Sequence, residues 1–273
     1  MISDKNLKKY PQRAQGKLKL HFTEVSGETN ISHFYQSGSL KALLPKPSAN
    51  HIEAILINTS GGLAGGDELL MSFETGPNTK TSITTQAAEK VYKSAKENSI
   101  VEVDVNVGEN GYFFWCPQET ILFHESRMKR TLNFQIRNSS KLLIVENIIF
   151  GRQHMGEQSI SGQLVDRWRI SRENKLVLAE NFIFNEKKHL SGTAALGDNH
   201  CISTLIYASN DAENYLESTR ALLNTDEVSG GASCWNYLLI ARIAAKKPEM
   251  LKGILLLLLR LLSKDKLPRI WAS

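Results

Sequence analysis

Hydrophobic and polar residues alternate along most of the chain from residue 17 to about residue 208. In Ser99–Val107, valines at every second position alternate with Glu102, Asp104 and Asn106. A period of two places the valines on one face of a β-strand and the polar residues on a solvated face. Turn-forming residues interrupt the alternation about every ten residues, which is the spacing of successive strands. The pattern therefore predicts a mainly β protein.

Further strands of two kinds follow from the pattern, some alternating and others uniformly apolar. The alternating segments are Lys17–Glu24, Arg130–Arg137 and Gln163–Ser171, and the apolar ones are Ile52–Ile57, Thr120–Phe123, Leu142–Phe150 and Cys201–Ala208. Uniformly apolar strands are typical of strands covered on both faces. We therefore expect stacked sheets, either a sandwich or a helicoidal, β-solenoid-like coil. In one alternating segment Asp166 falls on the apolar face, which indicates a bulge or a buried carboxylate.

The apolar spacing becomes helical after residue 210, in Asp211–Leu223 and again in Ser233–Ala245, with Ser233 as an N-cap. Residues 248–263 fit a further helix that would complete a C-terminal helical hairpin. Its apolar run Leu255–Leu262 favours burial in the core over a role as an interface.

The chain is expected to form a single domain over residues 1–273. About residues 17–208 would form its β-rich part, and about residues 211–263 its helical part. The composition excludes a disordered or collagen-like chain, because 41% of the 273 residues are hydrophobic and the 33 Lys and Arg are nearly balanced by 28 Asp and Glu.

The distribution of charged, apolar and cysteine residues limits the classes of partner and the cellular compartment that we expect. The basic residues are scattered rather than grouped with aromatic residues, so nucleic-acid binding is not favoured. The longest apolar run, Ile254–Leu262, is far shorter than the roughly 20 residues that span a bilayer. The N-terminal segment has no apolar core of a signal peptide. The three cysteines, Cys116, Cys201 and Cys234, lack the spacing of a disulfide framework or a zinc site, so we expect a cytoplasmic protein.

A glycine-rich segment, Asn58–Asp67, directly follows an apolar strand. It lacks the lysine of a phosphate-binding loop, and a strand rather than a helix is expected after it, which excludes a dinucleotide fingerprint. Two interpretations remain. The glycines allow either a tight turn where two backbones approach closely, or an opening lined by glycine beside the acidic Asp67.

Five carboxylates lie in or beside apolar strands: Glu119, Glu125, Glu146, Asp166 and Glu180. Glu146 interrupts an apolar run, and Glu180 lies between Leu178 and Phe182. Each such carboxylate requires either an arginine partner or water in an internal cavity. The seven histidines are isolated in the sequence, and neither a metalloprotease motif nor a nucleophile elbow is present. The residues by themselves therefore do not indicate an enzyme.

Short segments from about residue 54 to the C-terminus match motifs of one protein family, in the same order. They are Gly61-Gly62-Leu63-Ala64-Gly65-Gly66-Asp67, Thr84-Thr85-Gln86-Ala87-Ala88, Lys90-Val91-Tyr92, Pro117-Gln118-Glu119-Thr120-Ile121-Leu122-Phe123, Phe150-Gly151-Arg152, Met155-Gly156-Glu157, Ser161-Gly162 and Pro268-Arg269-Ile270-Trp271. On these segments the chain resembles the UreD family of urease accessory proteins, also called UreH. The chain departs from the family at Ser60, where proline is common, and at His124, where aspartate is frequent.

The resemblance implies a non-enzymatic maturation factor for the nickel enzyme urease. Proteins of this family bind apo-urease and the accessory protein UreF, through which the GTPase UreG is recruited. Their fold is β-rich and helicoidal with a helical portion. The resemblance also implies transient Ni²⁺ and no tightly bound cofactor.

An internal tunnel has been proposed as the nickel route through UreD-like proteins, which suggests a purpose for acidic groups in the interior. Oxygen ligands would hold nickel weakly, whereas a His or Cys site would retain it. Asp67, Glu146 and Glu180 are therefore the candidates for groups that line the nickel path. Two alternatives remain open: a hydrolase that uses carboxylates such as Glu119 and Glu146 on a β-scaffold, and a β-sandwich module that binds small ligands.

Overall fold

Most of the chain forms two stacked β-sheets and passes repeatedly from one sheet to the other. A computed structural model of the protein describes residues 13–47, 51–152, 155–157, 161–185, 196–264 and 266–272. The strands are β1 (Gln15–Val25), β2 (Glu28–Gly38), β3 (Leu40–Leu43), β4 (Ile52–Asn58), β5 (Glu68–Thr75), β6 (Lys80–Thr85), β7 (Glu89–Val91), β8 (Ser99–Val107), β9 (Tyr112–Trp115), β10 (Thr120–Leu122), β11 (Ser126–Ile136), β12 (Lys141–Phe150), β13 (Gly162–Arg172), β14 (Lys175–Asn185), β15 (Cys201–Ala208), β16 (Val228–Trp235) and β17 (Leu238–Ala245). The helices are α1 (Leu216–Leu223), α2 (Pro248–Ser263) and α3 (Arg269–Ala272), and a 3₁₀ turn over Ala212–Tyr215 precedes α1.

The first sheet has seven strands in the order β14-β13-β11-β8-β5-β1-β2, and its strands from β13 to β1 are parallel to one another. The second sheet has ten strands, eight of them in the order β16-β17-β15-β12-β9-β6-β4-β3. Of the other two, β10 pairs with β12, and β7 pairs with β10. From β4 to β13 the chain alternates between the sheets in successive coils. This confirms the predicted stacked, β-solenoid-like architecture.

Alternation along the strands decides which side chains enter the space between the sheets. In β8 the valines are buried, whereas Glu102, Asp104 and Asn106 are exposed, as the sequence predicts. Inward-facing residues of both sheets form one continuous core, to which β1, β5, β11, β9 and β12 contribute large side chains. This core contains the polar cluster described below.

A second core lies on the outer face of the second sheet, where α1 and α2 pack. Leu251, Leu255, Leu258 and Leu262 of α2 are buried, so the expected burial of this apolar helix is confirmed. Leu257 is 43% exposed on the opposite face. None of the helices among the described residues combines the length and apolarity that crossing a membrane requires.

The helix predicted over Ser233–Ala245 is wrong, and so is the helical hairpin that included it. These residues form the end of β16 and the whole of β17, joined by a turn in which Asn236 and Tyr237 have φ values of 48° and 64°. β17 is covered on one face by the first sheet and on the other by α2. A short strand covered on both faces has the uniform apolarity of a buried helix, so periodicity does not separate the two.

Candidate functional site

Asp166, the residue that breaks the apolar face of β13, is a buried carboxylate. Arg130 is its neighbour on the parallel strand β11. The guanidinium donates from Nε to Asp166 Oδ1 over 2.9 Å and from Nη2 to Oδ2 over 2.5 Å. The indole Nε1 of Trp168 donates to the same Oδ1 over 2.8 Å. Of the two interpretations of Asp166, the buried carboxylate is therefore confirmed.

The same guanidinium reaches across to the second sheet. Its Nη1 donates to Oε2 of Glu146 on β12 and, over 3.4 Å, to the hydroxyl of Thr120. Trp115 Nε1 donates to the other oxygen of Glu146, Oε1, over 2.7 Å. The side chains of Arg130, Glu146 and Asp166 are only 4%, 3% and 2% exposed. One arginine thus joins two carboxylates from opposite sheets in a cluster that we call the Arg130 network, which consists of Trp115, Arg130, Glu146, Asp166 and Trp168.

Burial and charge act in opposite directions within this network. Burial raises the pKa of Glu146, the positive charge of Arg130 lowers it, and the charge of Asp166 raises it again, with a net increase. Burial disfavours the charged form of Arg130, but the two carboxylates raise its pKa, so the guanidinium stays protonated. Two acids therefore share one permanent cation.

A first cavity of about 370 Å³ opens on one side of the network. Its wall includes Trp115, Arg130 and Glu146, together with the half-buried Glu89. Asn58 Nδ2 donates to the Glu89 carboxylate over 3.1 and 3.2 Å. Burial raises the pKa of Glu89 to about 7 although these hydrogen bonds oppose the increase. The wall of this cavity therefore contains a second carboxyl group, that of Glu89, besides Glu146.

A second cavity of about 530 Å³ lies on the other side and is also lined by Glu146. Asp166, Glu180 and Arg242 contribute to its wall, and the Arg242 guanidinium pairs with Glu180. The two cavities therefore meet at the Arg130 network, with Glu146 facing both.

Unpaired polar atoms occur in the walls of both cavities. Within the described part of the chain, no protein atom hydrogen-bonds the buried Nε2 of Gln118 in the first cavity or the buried Oγ of Ser203 in the second. Buried polar atoms of this kind are usually satisfied by water. The walls thus suit hydrated space rather than an apolar void.

Asp67 has a different environment from Glu146 and Glu180. Its carboxylate accepts hydrogen bonds from the backbone N–H groups of Ala14 over 2.8 Å and of Ala64 over 2.7 Å. It is in the lining of neither cavity described above. Asp67 therefore anchors the glycine-rich turn to the residues that precede β1.

Glu119 and Glu125 also lie outside the Arg130 network. The backbone carbonyl of Glu119 accepts the N–H of Glu89 over 2.8 Å. The Glu125 side chain is exposed to solvent and pairs with Lys93, which lowers its pKa. The buried partner of Glu146 is thus Asp166, through Arg130, and not Glu119.

Several residues of the family motifs converge on the first cavity, namely Gly61, Gly62, Gln86 and Gln118. The Tyr92 hydroxyl donates to the Gly61 carbonyl over 2.8 Å. Gly62 has φ +148°, and a Cβ there would lie 2.5 Å from the Tyr92 ring and 2.8 Å from the Lys90 carbonyl. The close backbone approach is therefore present, and Gly61 and Gly62 do line an opening, but Asp67 is not in the lining of that opening.

The remaining motif residues support turns outside the cavity. Gly66 has φ +89° and donates to the Asn98 carbonyl over 3.0 Å, and a Cβ at Gly65 would meet Ser94. Gly151 donates to the Leu122 carbonyl, and Gly156 has φ +81°. Arg152 lies over the ring of Phe123 at 4.1 Å and pairs with Glu157.

The comparison with known proteins agrees with this arrangement of motifs. A family model described as UreD urease accessory protein matches residues 14–272. The chain belongs to the UreD family of urease accessory proteins. It is 38% identical over 264 residues to a urease accessory protein UreD of Rhizobium leguminosarum bv. trifolii, with 96% of each chain covered.

Relatives in other genera match over a similar length. A UreD of Mesorhizobium japonicum is 38% identical over 268 residues, which cover 96% of this chain and 95% of the relative. A UreD of Rhodopseudomonas palustris is 33% identical over 263 residues, which cover 96% and 93%. The UreD family assignment thus applies to nearly the whole chain.

Sequence reasoning about this UreD-family chain missed Arg130, Trp115, Trp168 and Glu89 as members of the site. The alternation of β11 does place Arg130 on its apolar face, between Met128 and Leu132, and that signal was available. Among the described residues, no group of three or more His, Cys, Asp and Glu side chains is arranged to hold a metal ion. Two of the seven histidines, His154 and His189, lie outside the described residues.

Proposed function

We propose that this chain is a urease maturation factor that docks to apo-urease and UreF, and through UreF to UreG, in the cytoplasm. We propose further that it guides nickel through the space between its two sheets. Membership of the UreD family supports a role in urease maturation. The observation that carries the nickel route is the position of Glu146, which faces both cavities.

The chemistry of the cavity walls suits a passing cation. Glu89 lies in the first cavity, Glu146 at the junction and Glu180 in the second cavity, so carboxylates occur along the whole proposed route. Carboxylates that are each paired with an arginine, as Glu146 and Glu180 are, bind a divalent transition metal less tightly than clustered imidazole or thiolate ligands do. Nickel entering from one cavity would therefore be attracted without being retained.

The maturation role is proposed to be non-catalytic. The alternative of a hydrolase requires a free carboxylate pair, whereas Glu146 and Asp166 are both ion-paired with the single arginine between them. A pair bridged in this way has neither a free general base nor a free general acid.

Urease maturation with variants of this chain tests the route. Glu146→Gln and Glu180→Gln would be assembled with apo-urease and the other accessory proteins, and the nickel content and activity of the urease would be measured. We expect a several-fold decrease for each variant with unchanged complex formation. Glu102→Gln is the matched control, because Glu102 is exposed on the outer face of the first sheet. Normal nickel loading with both cavity variants would contradict the proposed route.

A further inference from the structure

We propose that the Arg130 guanidinium takes the place of a divalent cation between Glu146 and Asp166. In this position it closes the junction of the two cavities and prevents the carboxylate pair from retaining a metal ion. The proposal rests on the proposed function only for the identity of the cargo. The space between Glu146 and Asp166 would then be a latent cation site that the arginine fills.

The two carboxylates have anchors of their own. Trp115 donates to Glu146 Oε1 over 2.7 Å, and Trp168 donates to Asp166 Oδ1 over 2.8 Å. Both indoles are in the core, with exposed fractions of 4% and 3%. Because these donors do not depend on Arg130, removal of the guanidinium would leave two oriented carboxylates facing the same small space.

Arg130 is the group that donates to Glu146 and to Asp166 at once. Two buried carboxylates without a cation repel each other, so one of them must be protonated or a cation must bind. A divalent ion would neutralise both carboxylates. Carboxylate oxygens are suitable ligands for divalent cations, and the affinity of a given site increases from Mn²⁺ through Co²⁺ to Ni²⁺.

A cation in the place of the guanidinium is reachable from both sides, because Glu146 is in the wall of both cavities. Arg130 itself lines the first cavity, whose volume of about 370 Å³ provides room for the side chain to move aside. The junction is therefore closed while Arg130 bridges the carboxylates and open when it withdraws into the first cavity.

Metal binding to the purified full chain tests this assignment. Co²⁺ and, separately, Ni²⁺ would be titrated calorimetrically into the wild type, Arg130→Gln and the triple variant Arg130→Gln/Glu146→Gln/Asp166→Asn. We expect Arg130→Gln to bind one ion more tightly than the wild type by a factor on the order of tenfold or more, and the triple variant to lose this gain. Equal affinity of Arg130→Gln and wild type, or a gain that persists in the triple variant, would overturn the proposal.

Two further measurements cover the case in which loss of the arginine destabilises the protein. Arg130→Lys keeps a positive charge in the same place and is expected to bind metal as weakly as the wild type. If Arg130→Gln is unfolded without metal, Co²⁺ must restore its native circular dichroism, because the ion would substitute for the guanidinium. Failure of Co²⁺ to restore the fold would also overturn the proposal.

The metal titration is independent of the maturation experiment, since it involves this chain alone and no urease. A latent cation site without any effect of Glu146→Gln on nickel loading would refute the route and leave the role of Arg130 intact. Reduced nickel loading with Glu146→Gln, without a gain in metal affinity for Arg130→Gln, would refute the role of Arg130 and leave the route intact.

Discussion

Glu146 and Arg130 form an ion pair between the two sheets at the place where two cavities meet. The residues are 16 positions apart, on strands β12 and β11 of different sheets. Their contact therefore depends on how the sheets stack. The ion pair is buried in the core and also belongs to the candidate functional site.

The Trp115 indole is expected to stabilise the protein through Glu146. Trp115→Phe removes the N–H that donates to the buried Oε1 and should lower the free energy of unfolding by about 1.5–3 kcal/mol, as for a hydrogen bond to a charged group. Urea denaturation measures the change. Trp235→Phe is the control, because Trp235 is 43% exposed and its change should be small. Equal losses in the two variants would contradict the assigned role of the indole.

The glycine-rich turn provides a test of close backbone approach. Gly62→Ala would place a Cβ 2.5 Å from the Tyr92 ring, and we expect a loss of about 2–3 kcal/mol from the combined strain and overlap. Gly61→Ala is the matched control, since Gly61 also has a positive φ, +77°, but no atom within 4 Å of its Cβ position. The control should lose only about 1 kcal/mol. Thermal denaturation of both variants checks the difference, and similar losses would argue against the close approach.

Asp67 is expected to act on stability through the backbone. Asp67→Ala leaves the N–H groups of Ala14 and Ala64 without their acceptor, which should cost about 1–3 kcal/mol in the free energy of unfolding. Asp104→Ala is the comparison, because Asp104 is exposed and accepts its hydrogen bond from the Asn133 side chain. Chemical denaturation should show a clear loss for Asp67→Ala and little change for Asp104→Ala. Unchanged stability of the first variant would exclude the anchoring role.

Neighbouring leucines of α2 separate core packing from surface exposure. Leu258 is fully buried and Leu257 is 43% exposed. We expect Leu258→Ala to lower the free energy of unfolding by about 2–5 kcal/mol, because it leaves a cavity beneath the helix. Leu257→Ala should change it by less than about 0.5 kcal/mol. A larger effect at Leu257 on binding to a partner than on stability would identify the exposed face of α2 as an interface.

Glu89 should make stability depend on pH. Burial raises the pKa of Glu89 from 4.5 to about 7 in the folded protein. Between these values the folded state binds more protons than the unfolded state, so the free energy of unfolding falls as pH rises from about 4.5 to about 7. Glu89→Gln removes this contribution and should be more stable than the wild type above pH 7.

Thermal denaturation across this pH range measures the difference between Glu89→Gln and the wild type. Glu102→Gln, at an exposed position, should follow the wild-type pH dependence. A constant difference between Glu89→Gln and the wild type at every pH would rule out titration of Glu89 as the cause.

Strand faces were predictable from the sequence because neighbouring residues alone set the period of two. Ser99–Val107 and Cys201–Ala208 have the bounds that the pattern predicts. The position of Asp166 on an apolar face indicated either a bulge or a buried carboxylate, and the structure shows the second. The helix predicted over Ser233–Ala245 was wrong because the apolar residues of β17 are buried by layers that are distant in the sequence, and a local pattern does not reveal those layers.

The sequence by itself determined the mainly β class, the inward face of each alternating strand and the resemblance to the UreD family. Tertiary structure alone decided that Arg130 would lie between Glu146 and Asp166. It also decided that Asp67 would bond to backbone groups and lie outside the two cavities described above. The physical reason is range. Periodicity and turn chemistry depend on adjacent residues, whereas the partner of a buried charge depends on which strands the stacking of two sheets brings together.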